Sequence, residues 1–188
     1  MKVKHLVGAF LCVLGCYACS SPKTEVQSPD GHIKMTLTVD ENGKPFYNVS
    51  VDDSLLIENS AMGFTAANGI ILAEGFQVKN TTFSSEDETW TQPWGENKKN
   101  RNHYNEMAVN LTNEDHVQLT LRFRVFDDGI GFRYEYTVPT VDSLLITDEL
   151  TTFRFHRDGT SWSIPASAET YELLYQQQPI SEVETANT

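Results

Sequence analysis

Residues 89–106, TWTQPWGENKKNRNHYNE, combine aromatic rings with planar hydrogen-bonding groups. Those are the two kinds of surface that recognise a sugar, through the ring face and the hydroxyls. Trp94, Glu96, Arg101, Tyr104, Asn105 and Glu106 are the candidate carbohydrate-binding residues. The same stretch also fits a structural role, with Trp90 and Trp94 plugging one end of a sandwich and the asparagines capping turns. It shows neither a helical nor a strand period and reads as a long irregular connection, of the kind that is usually functional or mobile.

Other chemistries find less support. His5, His32, His103, His116 and His156 are isolated, with no pair at metal-ligand spacing. There is no glycine-rich phosphate loop and no G-x-S-x-G nucleophile elbow. Asp127-Asp128 looks like a carboxylate pair, but Asp128-Gly129 has a conformational reason to be there, as the tip of a tight primed hairpin turn. Arg122, Arg124 and Arg133 share the outward face of that hairpin and can form a cross-strand charge ladder with Glu135. The net charge of -12 argues against a nucleic-acid partner.

Cys12, Cys16 and Cys19 all lie in the first 19 residues, so the body has neither a disulfide nor a thiolate nucleophile. Residues 1–19 have a basic start (Lys2, Lys4), a short apolar run and small residues before cysteine, the pattern of a secretory signal. They also resemble a bacterial lipoprotein signal, with Cys16 or Cys19 as the lipidated residue. A membrane contact through that lipid and an exported, periplasmic or outer-membrane location are then expected. Residues 20–27 are polar and read as a tether.

The remaining chain predicts strands. Residues 32–39 and 47–51 alternate around Asn42-Gly43, and residues 117–137 form a second hairpin, VQLTLRFRVFDDGIGFRYEYT. Residues 76–83 form a further strand, 84–88 an acidic loop, and Met107, Val109 and Leu111 resume the strand pattern. Residues 141–146, 151–155 (Phe153 and Phe155 inward) and 162–164 complete the set. Residues 166–175 read equally as a helical turn or an extended arm. Strands at this spacing without any helical stripe predict an all-β sandwich or barrel.

An ordered set of motifs carries a resemblance. SPDG at 28–31, WTQPWGENKKNRNHYNEMAVNL at 90–111, LRFRVFDDGIGFRYEYT at 121–137, DELTTFRF at 148–155, WSIPA at 162–166 and TYELLY at 170–175 together resemble the N-terminal domain of glycoside hydrolase family 97. That family comprises exported Bacteroidetes α-glucosidases and α-galactosidases. The resemblance covers residues 28–188 and implies a galactose-mutarotase-like β-super-sandwich, incomplete at its C-terminal end. It further implies an α-linked oligosaccharide as substrate and a following (β/α)8 barrel that carries the catalytic carboxylates. Calcium is expected in the full-length enzyme, with one glutamate ligand from a later strand of this domain. No cofactor and no catalytic residue are assigned to the 188 residues themselves, because glycoside hydrolysis needs two carboxylates flanking the bond. The expectation is an inactive N-terminal module, or alternatively a free-standing carbohydrate-binding surface lipoprotein.

Overall fold

A computed structural model describes residues 24–139, 141–165 and 172–183. The leader, Cys16, Cys19 and most of the 166–175 arm lie outside the described residues.

The first sheet contains β1 (Glu25–Gln27), β2 (Ile33–Val39), β3 (Pro45–Val51) and β4 (Ser54–Ala61), in that spatial order and antiparallel. Glu25–Gln27 pairs with β2, so the tether expected over 20–27 gives way to sheet by residue 25. A bridging segment follows: β5 (Phe64–Ala66), a 3-10 turn (Ala67–Gly69) and β6 (Ile71–Leu72). Then come β7 (Gln77–Thr91), β8 (Lys99–Thr112), β9 (Gln118–Phe126) and β10 (Gly129–Thr137), which form the second sheet in the order β10-β9-β8-β7. β11 (Ile146–Glu149) pairs with β5, and β12 (Thr160–Ser163) with β13 (Gln176–Pro179).

Period-2 alternation explains the packing. Leu119, Leu121, Phe123 and Val125 of β9 and Met107, Val109 and Leu111 of β8 meet Met35, Leu37, Tyr47 and Val49 of the first sheet in one buried core. Phe132, Tyr134 and Tyr136 of β10 close one side. The two tyrosine hydroxyls find partners: Tyr136 donates to the Leu72 carbonyl at 2.5 Å, and Tyr134 lies 2.6 Å from Thr151 Oγ1. The all-β sandwich is as expected.

Several local expectations need correction. The loop expected over 89–106 and the acidic loop over 84–88 are mostly strand: β7 and β8 pair without interruption from Phe83↔Met107 to Thr91↔Lys99. The turn of the β9–β10 hairpin is Asp127-Asp128, with Gly129 already paired to Phe126, and neither Asp128 nor Gly129 has positive φ. The left-handed pair instead sits at Asp52-Asp53 (φ 48° and 60°), between β3 and β4. The strand expected over 141–146 begins only at Ile146. Residues 151–155 run beside β4, where Thr152 N–H donates to the Ala61 carbonyl and Glu58 N–H to that of Arg154. Phe153 and Phe155 are not inward: they are 58% and 44% exposed, although the Phe153 ring still touches Tyr47 and Phe132.

Candidate functional site on the long hairpin

β8 is paired to β9 only from Tyr104 onward, whereas its pairing with β7 continues back to Lys99. Residues 87–103 therefore project past the β9–β10 turn as a two-stranded arm. The tip, residues 92–98, is fixed by local hydrogen bonds. Gln92 N–H donates to the Lys98 carbonyl (3.1 Å), and Gln92 Nε2 and Asn100 Nδ2 both donate to the Asn97 carbonyl (3.1 and 3.3 Å). Gly95 sits at φ +116°, and a Cβ there would lie 2.6 Å from Gln92 Nε2. The positive φ is what disfavours a side chain at that position, since the Gln92 amide can swing away.

Strand alternation separates the six candidate residues. Trp94, 84% exposed, and Glu96 stand at the tip. Arg101 and Asn105 lie on the arm face that continues the core side, while Tyr104 and Glu106 lie on the opposite, outer face. Arg101 forms a two-pronged ion pair with Asp87 (2.7 and 2.8 Å), whose hydrogen bonds hold the Asp87 carboxyl below its ordinary pKa. Asn105 Nδ2 donates to the Gln27 carbonyl at 2.9 Å, beside an open hollow of about 390 Å³ lined by Val26, Phe83 and Ser85.

Glu106 is 8% exposed and is occupied on both oxygens, by Arg122 Nη1 at 2.6 Å and Arg124 Nε at 2.7 Å. Arg122 also grips both oxygens of Glu135 (2.8 and 3.2 Å), and Arg133 Nε shares Oε1 at 2.8 Å. Arg124 lies 4.4 Å over the Tyr104 ring. The result is the charge ladder expected on the hairpin, extended by Glu106, which is the carboxylate that Arg124 meets. Burial raises the pKa of Glu106, and the Arg124 and Arg122 hydrogen bonds outweigh it, so the net direction is down. Hydrogen bonding from Arg122, followed by that from Arg133, lowers Glu135 to about 2. Both carboxylates stay ionised and sequestered, which suits neither a general acid nor a nucleophile.

Among the described residues no group of three His, Cys, Asp or Glu could hold a metal ion. On its outer face the arm also carries residues outside the candidate set, among them Trp90, Glu88 and Asn102. Trp90 opposes Asn100, and Glu88 opposes Asn102. Their signal in the sequence is a spacing of two residues, which is legible only once the segment is known to be a strand.

The chain matches the family described as Glycosyl-hydrolase 97 N-terminal over residues 26–188. It is similar to a Glycoside Hydrolase Family 97 enzyme variant from Pseudoalteromonas sp. strain K8 solved with panose, at 34% identity and TM-score 0.76, covering 84% of this chain and 25% of that one. The acarbose complex of that enzyme aligns at 35% identity and TM-score 0.74, covering 82% and 24%. A beta-arabinopyranosidase aligns at 25% identity and TM-score 0.70, covering 81% of this chain and 26% of its own. The chain thus spans about a quarter of the length of these solved enzymes. Its sequence match and its sandwich agree, and the chain belongs to the N-terminal domain family of glycoside hydrolase family 97.

Proposed function

We propose that the chain is the N-terminal, carbohydrate-proximal sandwich of an exported α-glycosidase, and that its 188 residues do not hydrolyse glycosides unaided. The observation that carries this reading is the family match over residues 26–188 combined with a span of 25% of the matched enzyme. The carboxylate chemistry supports it: Glu106 and Glu135 are neutralised by arginines and cannot serve as an acid–nucleophile pair. The exposed aromatic and aliphatic side chains Phe153, Phe155, Trp162, Leu174 and Tyr175 supply an apolar surface suited to packing against the catalytic barrel of the full-length enzyme. Calcium belongs to that full-length enzyme in this reading. The purified chain should leave p-nitrophenyl α-glucoside and α-galactoside intact, and hydrolysis at the rate of a full-length family enzyme would overturn the proposal.

Export follows from the leader, with lipidation at Cys16 or Cys19 and placement in the periplasm or at the outer membrane. Radiolabelled palmitate should enter the wild-type chain and be lost on Cys16→Ser or Cys19→Ser; labelling that survives both together excludes the anchor. A second reading, a free-standing carbohydrate-binding lipoprotein, is favoured by the exposed Trp94 on its ordered tip.

A further inference from the structure

We propose that the outer face of the β7–β8 arm is a carbohydrate-binding platform for α-linked glucosyl oligosaccharides, built from Trp90, Glu88 and Asn102. The proposal rests on the reading of the chain as a carbohydrate-proximal domain, and it names the site within that reading. The six residues that composition singles out do not form this platform, because alternation distributes them over the tip and both faces of the arm.

Three features make the outer face suitable. Trp90 is 49% exposed and lies next to the end of β7, where its backbone is paired opposite Asn100 and its ring is open to solvent. Two rungs away, on the same face, Asn102 Nδ2 donates to Glu88 Oε1 at 3.0 Å, which pairs an amide with a carboxylate. Two residues along a strand span about 6.6–6.8 Å, which lets one pyranose stack on Trp90 while its hydroxyls reach the Glu88–Asn102 pair. Among the described residues, Asn102 Oδ1 and Glu88 Oε2 take part in no other hydrogen bond.

The occupant follows from the same groups. A hydroxyl can donate to the carboxylate of Glu88 and accept from an amide N–H of Asn102 at the same time. An apolar protein surface would bury Glu88 and Glu86 without counter-charges, which is costly. Nucleic acid is disfavoured by the charge of -12. A neutral polyhydroxylated ring satisfies the rim and covers the indole, and the pre-formed amide–carboxylate pair reduces the ordering cost of binding.

The test uses the 188-residue chain labelled with 5-fluorotryptophan, which gives three fluorine resonances from Trp90, Trp94 and Trp162. Panose and maltotriose are titrated to millimolar concentration, with sugar-free buffer and mannitol as controls. The Trp90 resonance should move saturably with the trisaccharides and stay still with mannitol. Loss of one neutral or charge-assisted hydrogen bond corresponds to about tenfold weaker binding, and that is the expected effect of Asn102→Ala and of Glu88→Gln. Trp94→Ala should leave the midpoint unchanged. A shift confined to Trp94, or no shift in any resonance while Trp162 retains its folded position, overturns the platform. Hydrolysis of the chromogenic glycosides by the chain would overturn the domain reading and leave the Trp90 result standing, so the two failures are distinguishable.

Discussion

Arg122 bridges the two carboxylates of the outer-face ladder, and replacing it with methionine isolates what the ladder contributes. The substitution keeps the aliphatic stem and removes the bonds to Glu106 (2.6 Å) and Glu135 (2.8 and 3.2 Å). Neither partner is left alone, because Glu106 keeps Arg124 and Glu135 keeps Arg133. The cost should therefore lie below the ~3–5 kcal/mol of an orphaned buried charge. It should resemble the loss of a charge-assisted hydrogen bond or slightly more, about 2–3 kcal/mol at neutral pH. At ~2–4 °C per kcal/mol for a chain of this size, Tm should fall by roughly 4–12 °C.

The pH dependence carries the diagnostic sign. Glu135 has a folded pKa of about 2 against an ordinary 4.5, and a depressed acid stabilises the fold above its unfolded value. The difference between wild type and Arg122→Met should thus be full above pH 4.5 and shrink as the pH falls toward about 2. Urea melts followed by tryptophan fluorescence at a series of pH values measure this directly. A variant as stable as wild type at neutral pH, or a difference that ignores pH across that window, would refute the ladder as a stabilising network.

Three further outcomes are expected. Gly43 has φ +75°, and a Cβ there would stand 2.3 Å from Phe76 N, on the turn that binds the Gly75–Phe76 backbone. Gly43→Ala should cost at least about 2 kcal/mol in urea melts, and a neutral result would contradict the backbone contact. Asp53→Gly removes a non-glycine left-handed residue (φ 60°) whose ion pair with Lys34 is long at 3.5 Å. It should raise stability by about 0.5 kcal/mol; destabilisation would mean that the Asp53 side chain matters. The apolar surface including Trp162 (63% exposed) and Leu174 (89%) should make the chain self-associate. Light scattering should show less association in Trp162→Ser and Leu174→Ser, and a monodisperse wild-type monomer at high concentration would refute the docking role of that surface.

Legibility in the sequence tracked burial of one strand face. Residues 118–137 and 33–51 alternate visibly because Leu119, Leu121, Phe123, Met35 and Leu37 all point into one core. The family motifs then named the sandwich, and the Arg–Glu ladder was readable because its members recur at every second residue of paired strands. The arm failed the same test for a physical reason: beyond Tyr104 both of its faces meet solvent, so the hydrophobic period vanishes although the backbone ladder continues. Cross-strand polar contacts such as Asp87–Arg101 and Glu88–Asn102 replace it, and these have no single-strand signature.

The same loss of period hid which arm residues act together. Composition singled out the polar-aromatic region, yet parity decides membership of a face, and parity has no meaning until a segment is known to be extended. Once residues 99–112 pair with 77–91, Glu106 belongs with the arginines of β9 and Arg101 with Asp87. Arg101 and Glu106 are thereby committed to protein partners. Trp90 and Asn102 remain open to solvent on one face with hydrogen-bonding capacity to spare. The proposed platform draws on side chains that the fold does not already use, and a search for function on the arm should begin from Trp90.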